Sequence, residues 1–430
     1  MTYNQAIDWL FKVPFSFNRD FHNYKLKLEP VLGFCNRVDN PQTDLKIIHV
    51  AGTNGKGSTC HITASIIQEH GKNVGIFSSP HLIDFRERIK INGKYIDKKF
   101  ITNFINKHKS YIEENKISFF EISFVMSLCY FRDSNVDYSL IEVGLGGRLD
   151  ATNICNPIVS CITNIGYDHK IFLGKTLKKI ALEKAGIIKS DTPIVVGERR
   201  KTLVKEFYQI SSKLNSPIIY SNNIYFDKEY GLHGDYQLDN IKNSIAIVSL
   251  IKELNLDNDK IDLGIKKTVV NTSFFGRWQI IKSKPLVIFD VAHNIDAIKK
   301  ILKQLKEEDK DIRFVFGNLN TQGKIKILDV LPTDYFYYFC EPNTPRSMPI
   351  EKITRKAKSN KLKFKSDISL LSAKATMEGT FSGGANVDNL ATGGIYLSYS
   401  GGYIDDIKDQ IDSYKEKIMS GEIVPPSARP

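Results

Sequence analysis

The run Gly52-Thr53-Asn54-Gly55-Lys56-Gly57-Ser58 places small residues, hydroxyls and one lysine in an order suited to holding phosphate. It follows Ile47-Ile48-His49-Val50, which predicts a buried strand. It precedes residues 59–70, where Ile62, Ile66 and Ile67 share one helical face. In a strand, glycine turn and helix start, backbone N–H groups point at an anion and the helix dipole favours negative charge. Lys56 would reach the outer phosphates as a point charge. The reading is an ATP site; a glycine-rich turn without a ligand is the plainer alternative. The spacing departs from G-x-x-x-x-G-K-[ST]. Only two residues separate Gly52 from Gly55, and Gly57 stands between Lys56 and Ser58, so the hydroxyl that usually holds magnesium is displaced by one position.

Other candidates sit at predicted strand ends. Ser78-Ser79-Pro80-His81 offers a hydroxyl, or a serine-proline turn. Glu142 ends an apolar strand beside the bend Gly144-Leu145-Gly146-Gly147. Magnesium carried by a nucleotide takes one or two carboxylates, phosphate oxygens and water, and Glu142 is placed for that; a structural carboxylate is the alternative. His169 closes Asn164-Ile165-Gly166-Tyr167-Asp168-His169, in register with Glu142, which favours a metal or catalytic role; a satisfied surface histidine is the alternative. Phe120 and Glu121 could give a flat ligand an aromatic wall and a carboxylate, although helix phenylalanines are more often core. Lys184, beside Glu183 on a predicted helix, reads as a solvated ion pair. Arg277, Asp290 and His293 suit a cleft closing over nucleotide and substrate.

The elements that must position these residues follow an α/β pattern. Predicted strands are 47–51, 74–78, 138–143, 158–163 and 193–196, alternating with helical stretches, which argues a mostly parallel sheet. Ligands bind such sheets at the carboxyl ends of strands. After a break at 268–276 a second series follows: a strand at 286–291, a helix near 295–307, a strand at 312–317, a helix near 324–331 and a strand at 335–340. The organisation is a P-loop-containing domain over 1–272, a smaller α/β domain over 273–370, and an atypical glycine-rich tail over 371–430. Ile404, Ile407, Ile411, Tyr414 and Ile418 predict one amphipathic helix in that tail.

Composition narrows the class. The 430 residues are 42% hydrophobic and 25% charged, ordinary for a soluble globular chain. No secretory h-region and no membrane span is apparent, and six scattered cysteines suit free thiols in a reducing cytoplasm. The net charge of +12 is mostly lysine on predicted helix faces, with no base-reading motif, so no nucleic-acid partner is expected.

Taken in order, Gly52–Ser58, Ser79-Pro80-His81, Glu142 to Asn153, Tyr167-Asp168-His169, Glu183–Ile187, Gly234-Asp235-Tyr236-Gln237 with Asn240, Gly276-Arg277, Asp290–Asn294 and Pro345-Arg346 resemble the folylpolyglutamate synthase and dihydrofolate synthase family of Mur-type ligases. The resemblance implies that the domain over 273–370 is Rossmann-like. It implies that ATP phosphorylates a carboxylate, which is then joined to L-glutamate; dihydropteroate and tetrahydrofolate are the implied acids. It implies that Ser79, Glu142 and His169 bind Mg2+, and that Thr53, Asn54, Gly55, Lys56, Gly57 and Ser58 hold the phosphates. Asn240, Arg277 and Asp290 would contact ATP. Lys184 matches the family lysine that carries a carbamate, and Phe120 and Glu121 match the pterin region. Lys56, Lys184 and His293 are the implied catalytic groups, His293 through a proton or orientation. The expected enzyme is a cytoplasmic monomer.

Three positions depart from the family pattern. Val291 replaces a glycine, Tyr236 replaces a histidine, and the family's final hydrophobic strand is not evident beyond Leu370. Residues 378–423 instead resemble the tail of basic-membrane-protein-type lipoproteins. Rival readings are another Mur-type ligase, a non-catalytic nucleotide-binding protein and, on the tail alone, a solute-binding lipoprotein.

Overall fold

The computed structural model describes all residues except 15–26, 285, 309–310, 322, 342–346, 367–393 and 398–430. The chain divides into two compact units. One comprises Met1–His81, Phe85–Tyr230 and Tyr236–Phe274; the other comprises Leu82–Asp84, Gly231–Asp235 and Phe275 onward.

The first unit is built on eight strands: β1 (Ile47–Ala51), β2 (Val74–Phe77), β3 (Ile89–Ile91), β4 (Lys94–Tyr95), β5 (Tyr138–Glu142), β6 (Val159–Ile162), β7 (Ile194–Val196) and β8 (Ile218–Tyr220). Their order is β4-β3-β2-β5-β1-β6-β7-β8. All pairings are parallel except those of the β3–β4 hairpin, which adds antiparallel to β2. β1, β2, β5, β6 and β7 are buried throughout, as apolar strands covered on both faces must be. β1 lies between β5 and β6, where the chain switches direction across the sheet. The loops after these three strands therefore open at one edge, beside the start of the helix Lys56–Glu69. That helix is buried from Gly57 to Ile67, polar residues included. Its apolar side is wider than the isoleucine face suggests, because the helices Gln237–Ser249 and Asn258–Lys266 also pack on it.

The second unit has six strands: β9 (Gln279–Ser283), β10 (Leu286–Phe289), β11 (Arg313–Phe316), β12 (Phe336–Phe339), β13 (Lys363–Lys365) and β14 (Gly394–Leu397). Their order is β13-β12-β11-β14-β10-β9, and only β9 runs antiparallel. Ile298, Ile301, Leu302 and Leu305 turn the inner face of the helix Ile295–Leu305 into the core. Two expectations are corrected. Residues 324–330 form a 3-10 helix entered through Gly323 at φ 85°, not an α-helix. The strand that seemed missing is present as β14, drawn from the glycine-rich tail. The amphipathic helix expected at 404–418, and Pro345-Arg346, lie outside the described residues.

No helix among the described residues is long and apolar enough to cross a membrane. All six cysteines are free. Burial pushes the Cys35 and Cys129 thiols up to about 12, so they pack as small apolar groups.

Candidate active site

The phosphate loop runs from β1 to the helix Lys56–Glu69 and is held by the strand next door. The Asn164 amide pairs with the Asn54 backbone in both directions: Asn54 N–H donates to Oδ1 at 3.0 Å, and Nδ2 donates to the Asn54 carbonyl at 2.7 Å. Thr163 Oγ1 donates to the same carbonyl at 2.6 Å, and Thr53 N–H donates to the Asn164 carbonyl at 2.9 Å. Two glycines are required by the close fit. A Cβ on Gly52 (φ 152°) would lie 1.8 Å from Thr163 Oγ1, and one on Gly55 (φ 84°) would lie 2.1 Å from Asn240 Oδ1. Lys56 Nζ donates to the Thr53 carbonyl at 3.3 Å, folding its ammonium over the loop at the helix start.

Asn164 was part of a quoted motif but had no assigned role. Its signal is an amide one residue beyond an apolar strand, which many turns share. Asn164→Asp keeps the shape, removes the donor to Asn54 and sets a carboxylate against a carbonyl. The Asn54 carbonyl keeps its bond from Thr163 Oγ1, so the cost is the lost bond and the carboxylate facing the carbonyl, about 1–3 kcal/mol, and nucleotide affinity should fall about tenfold or more. Calorimetric titration with a non-hydrolysable ATP analogue measures it; unchanged affinity would remove Asn164 from the clamp.

Glu142, at the end of β5, is 5% exposed and accepts the Ser79 backbone N–H at 3.1 Å, so two expected metal ligands are neighbours. A Cβ on Gly57 would stand 3.5 Å from Glu142 Oε2, so the phosphate helix passes close to this carboxylate. His169 caps the short helix Lys170–Leu173 at φ 50°, with Nε2 4.0 Å from Asp168. No cluster of three or more His, Cys, Asp or Glu able to hold a metal ion occurs among the described residues. A carboxylate and a hydroxyl beside a phosphate loop nevertheless fit a hard cation, because magnesium keeps most of its sites for phosphate and water.

Lys184 overturns the solvated-pair reading. It is 4% exposed, and its Nζ donates to the Gly52 carbonyl at 2.9 Å. Its neighbour Glu183 pairs with Arg148 instead, at 2.9 Å. Burial, and then the charge of Lys56, lower the Lys184 ammonium to about 7. A lysine beside a glutamate has the same local pattern buried or exposed, so nothing in the sequence itself distinguishes the two.

Phe119 is core, while Phe120 remains partly exposed, its ring 5.6 Å from that of Phe77. Glu121 is occupied locally: its Oε2 accepts the Ser118 N–H at 2.7 Å and the Ser118 hydroxyl at 2.6 Å in a capping box. Asn240 Nδ2 donates to Gln237 Oε1 at 2.8 Å, which turns its oxygen toward Gly55.

In the second unit, Asp290 opens the loop after β10. Its carboxylate accepts the Trp278 N–H at 2.7 Å and the Ala292 N–H at 2.8 Å, so it holds the residue after Arg277 and the residue before His293. Arg277 Nη1 donates to the Gly276 carbonyl at 3.0 Å. His293 Nδ1 lies 3.0 Å from the Val291 carbonyl; a carbonyl only accepts, so Nδ1 carries the proton of this bond.

Comparison with known proteins bears on this arrangement. Residues 50–266 match the Mur ligase middle domain, and residues 276–379 match the Mur ligase glutamate ligase domain. The chain is 30% identical over 362 residues to the dihydrofolate synthase/folylpolyglutamate synthase of Bacillus subtilis, covering 75% of this chain and 84% of that protein. It is 27% identical over 379 residues to a probable bifunctional folylpolyglutamate synthase/dihydropteroate synthase of Haloferax volcanii, covering 80% of this chain but 44% of that longer protein. A solved bifunctional folylpolyglutamate synthase/dihydrofolate synthase with Mn, AMPPNP and L-glutamate bound superposes with a TM-score of 0.75 at 25% identity, covering 92% of this chain and 94% of the other.

Proposed function

Because this chain belongs to the folylpolyglutamate synthase/dihydrofolate synthase family of Mur-type ligases, we propose that it joins L-glutamate to a folate-pathway carboxylate at the expense of ATP. The observation that carries the reading is the clamped loop Gly52–Ser58, with Lys56 at the helix start and the Glu142–Ser79 pair on the neighbouring strands. A carboxylate is a poor acyl donor, so its oxygen must first become a phosphate leaving group. Such a transfer needs positioning and charge neutralisation more than a protein nucleophile. The loop N–H groups and Lys56 orient the phosphates and offset charge on the group in transit. A divalent ion, Mg2+ on this reading, would be held by Ser79, Glu142 and His169 and would neutralise phosphate charge. Asn240, Arg277 and Asp290 are assigned to the nucleotide. His293 Nε2 is assigned to the amine of glutamate, Phe120 to the pterin ring, and Glu121 to the framing of that ring through its capping box.

We assign both acids, dihydropteroate and tetrahydrofolate, to one cytoplasmic, monomeric enzyme. Parallel assays of the purified chain with Mg2+, ATP, L-glutamate and each acid test this. The expected result is glutamate-dependent ADP release with both; no release with either would sink the ligase reading.

Lys184 is assigned a carbamate. Only the neutral amine adds CO2, and a group lowered to about 7 is mostly neutral above that pH, whereas an ordinary lysine is not. Activity in CO2-free buffer is therefore expected to fall and to return with bicarbonate, more readily at pH 8 than at pH 6. Lys184→Ala should cost about a hundredfold, in the range for a lost electrostatic group, with partial rescue by a short carboxylic acid. Indifference to bicarbonate and to added acid would leave Lys184 as a prop for Gly52 alone.

A further inference from the structure

A buried polar chain joins two parts of the nucleotide site, and neither the motif residues nor the proposed chemistry accounts for it. His49 lies in the middle of β1, three residues before Gly52, and is fully buried. Its Nε2 is 2.8 Å from Thr152 Oγ1. That hydroxyl is 2.5 Å from Asp150 Oδ1 and has one proton to give. A carboxylate takes that proton, so the hydroxyl accepts from His49 Nε2–H. This fixes the tautomer and leaves Nδ1, which has no partner among the described residues, with the lone pair. The imidazole is neutral: burial, and then Lys189, lower it to about 3.

The far end of the chain reaches the glycine bend. Asp150 Oδ2 accepts the Leu145 N–H at 2.7 Å. That peptide group follows Glu142 by three residues. The bend has little freedom to move elsewhere. A Cβ on Gly144 would meet the Phe120 ring at 2.5 Å, and one on Gly147 would meet the Glu183 carbonyl at 2.8 Å.

We propose that His49, Thr152 and Asp150 are positioning residues that hold the glycine bend, and with it Glu142, in fixed relation to the phosphate-loop strand. The three touch neither nucleotide nor metal on this view. They act through the backbone of residues 143–147. A neutral hydroxyl between a neutral imidazole and a carboxylate suits a rigid strut: it donates to one and accepts from the other without adding charge beneath the loop.

The proposal rests on the nucleotide reading, and the test separates the two. Binding of Mn2+·AMPPNP to the full chain is measured by calorimetry, without turnover. Native chain that fails to bind sinks the nucleotide reading itself. If it binds, Thr152→Val, which removes both bonds of the hydroxyl and strands the His49 donor, is expected to weaken affinity about tenfold, while Thr152→Ser stays within about twofold. Unchanged affinity in a folded Thr152→Val chain overturns the proposal, as does equal loss in Thr152→Ser. Should the valine variant not fold, His49→Met removes the other donor, and amide exchange at Leu145 is read beside affinity. Faster exchange with weaker binding supports the strut; native exchange and affinity refute it.

Discussion

Replacing Lys56 by alanine is expected to reduce ligation about a thousandfold, the upper range for loss of one preorganised charge at a transferring group. The side chain lies at the start of a helix whose N–H groups already favour an anion, and it reaches back across the loop to the Thr53 carbonyl. That bond is weak at 3.3 Å, so phosphate can replace it at little cost. The helix core begins at Gly57, so truncation leaves no buried cavity, and the melting temperature should move by only a few degrees. Arginine should not restore activity, because its planar fork needs more room than a compact ammonium. A second consequence separates this lysine from a passive one. Lys56 is the second cause, after burial, that keeps the Lys184 ammonium low. Without it Lys184 should titrate higher, and any bicarbonate optimum should move to higher pH. Retained turnover in Lys56→Ala, or an unmoved bicarbonate optimum, would contradict these roles in turn.

Much of this was legible in the residues. Strands buried on both faces read as continuous apolar runs, and β1, β2, β5, β6 and β7 lie within one or two residues of the expected segments. The hairpin β3–β4 carried a usable signal, Asn92-Gly93 between alternating isoleucines and lysines, but each strand is too short for periodicity to settle it. What could not be read was partnership across the sheet. Asn164 and Asp150 look like ordinary turn formers and Thr163 like a strand end, and only the neighbouring strand shows that they grip the glycine-rich loop and the glycine bend. Lys184 is the sharper case. Solvation is the usual state of such a lysine; the family resemblance gave it a carbamate, and burial beneath Gly52 is a tertiary fact that neither reading contained. Glu121 went the other way. Ser118 three residues earlier was the visible sign of a capping box, which engages the carboxylate within its own helix.

Ending the chain after Leu370 is expected to abolish ligation and to remove the second unit's cooperative melting. The reason is the place of β14. Val287, Ile288 and Phe289 of β10 pair with Gly394, Ile395 and Tyr396, and Arg313 to Phe316 of β11 pair with Gly394 to Leu397. Both neighbours are parallel to it, so β14 is an interior strand. Its loss leaves β9–β10 and β11–β12–β13 as separate ribbons, each with an open edge. Direct pairing of β10 with β11 would need one ribbon to move by about 5 Å, one strand spacing, against the helices packed on it. The loop after β10 carries Asp290 and His293, so the groups assigned to nucleotide and amine lose their support with the sheet. Ile395→Pro tests the same point at full length. It removes one ladder donor from a strand with no free side, and a buried partner left unsatisfied costs about 1–3 kcal/mol. The expected result is loss of the second unit's transition in calorimetry, with ligation falling in parallel. A truncated chain that ligates glutamate and melts like the full one would show that the sheet closes without β14, and the tail would then be dispensable to the enzyme.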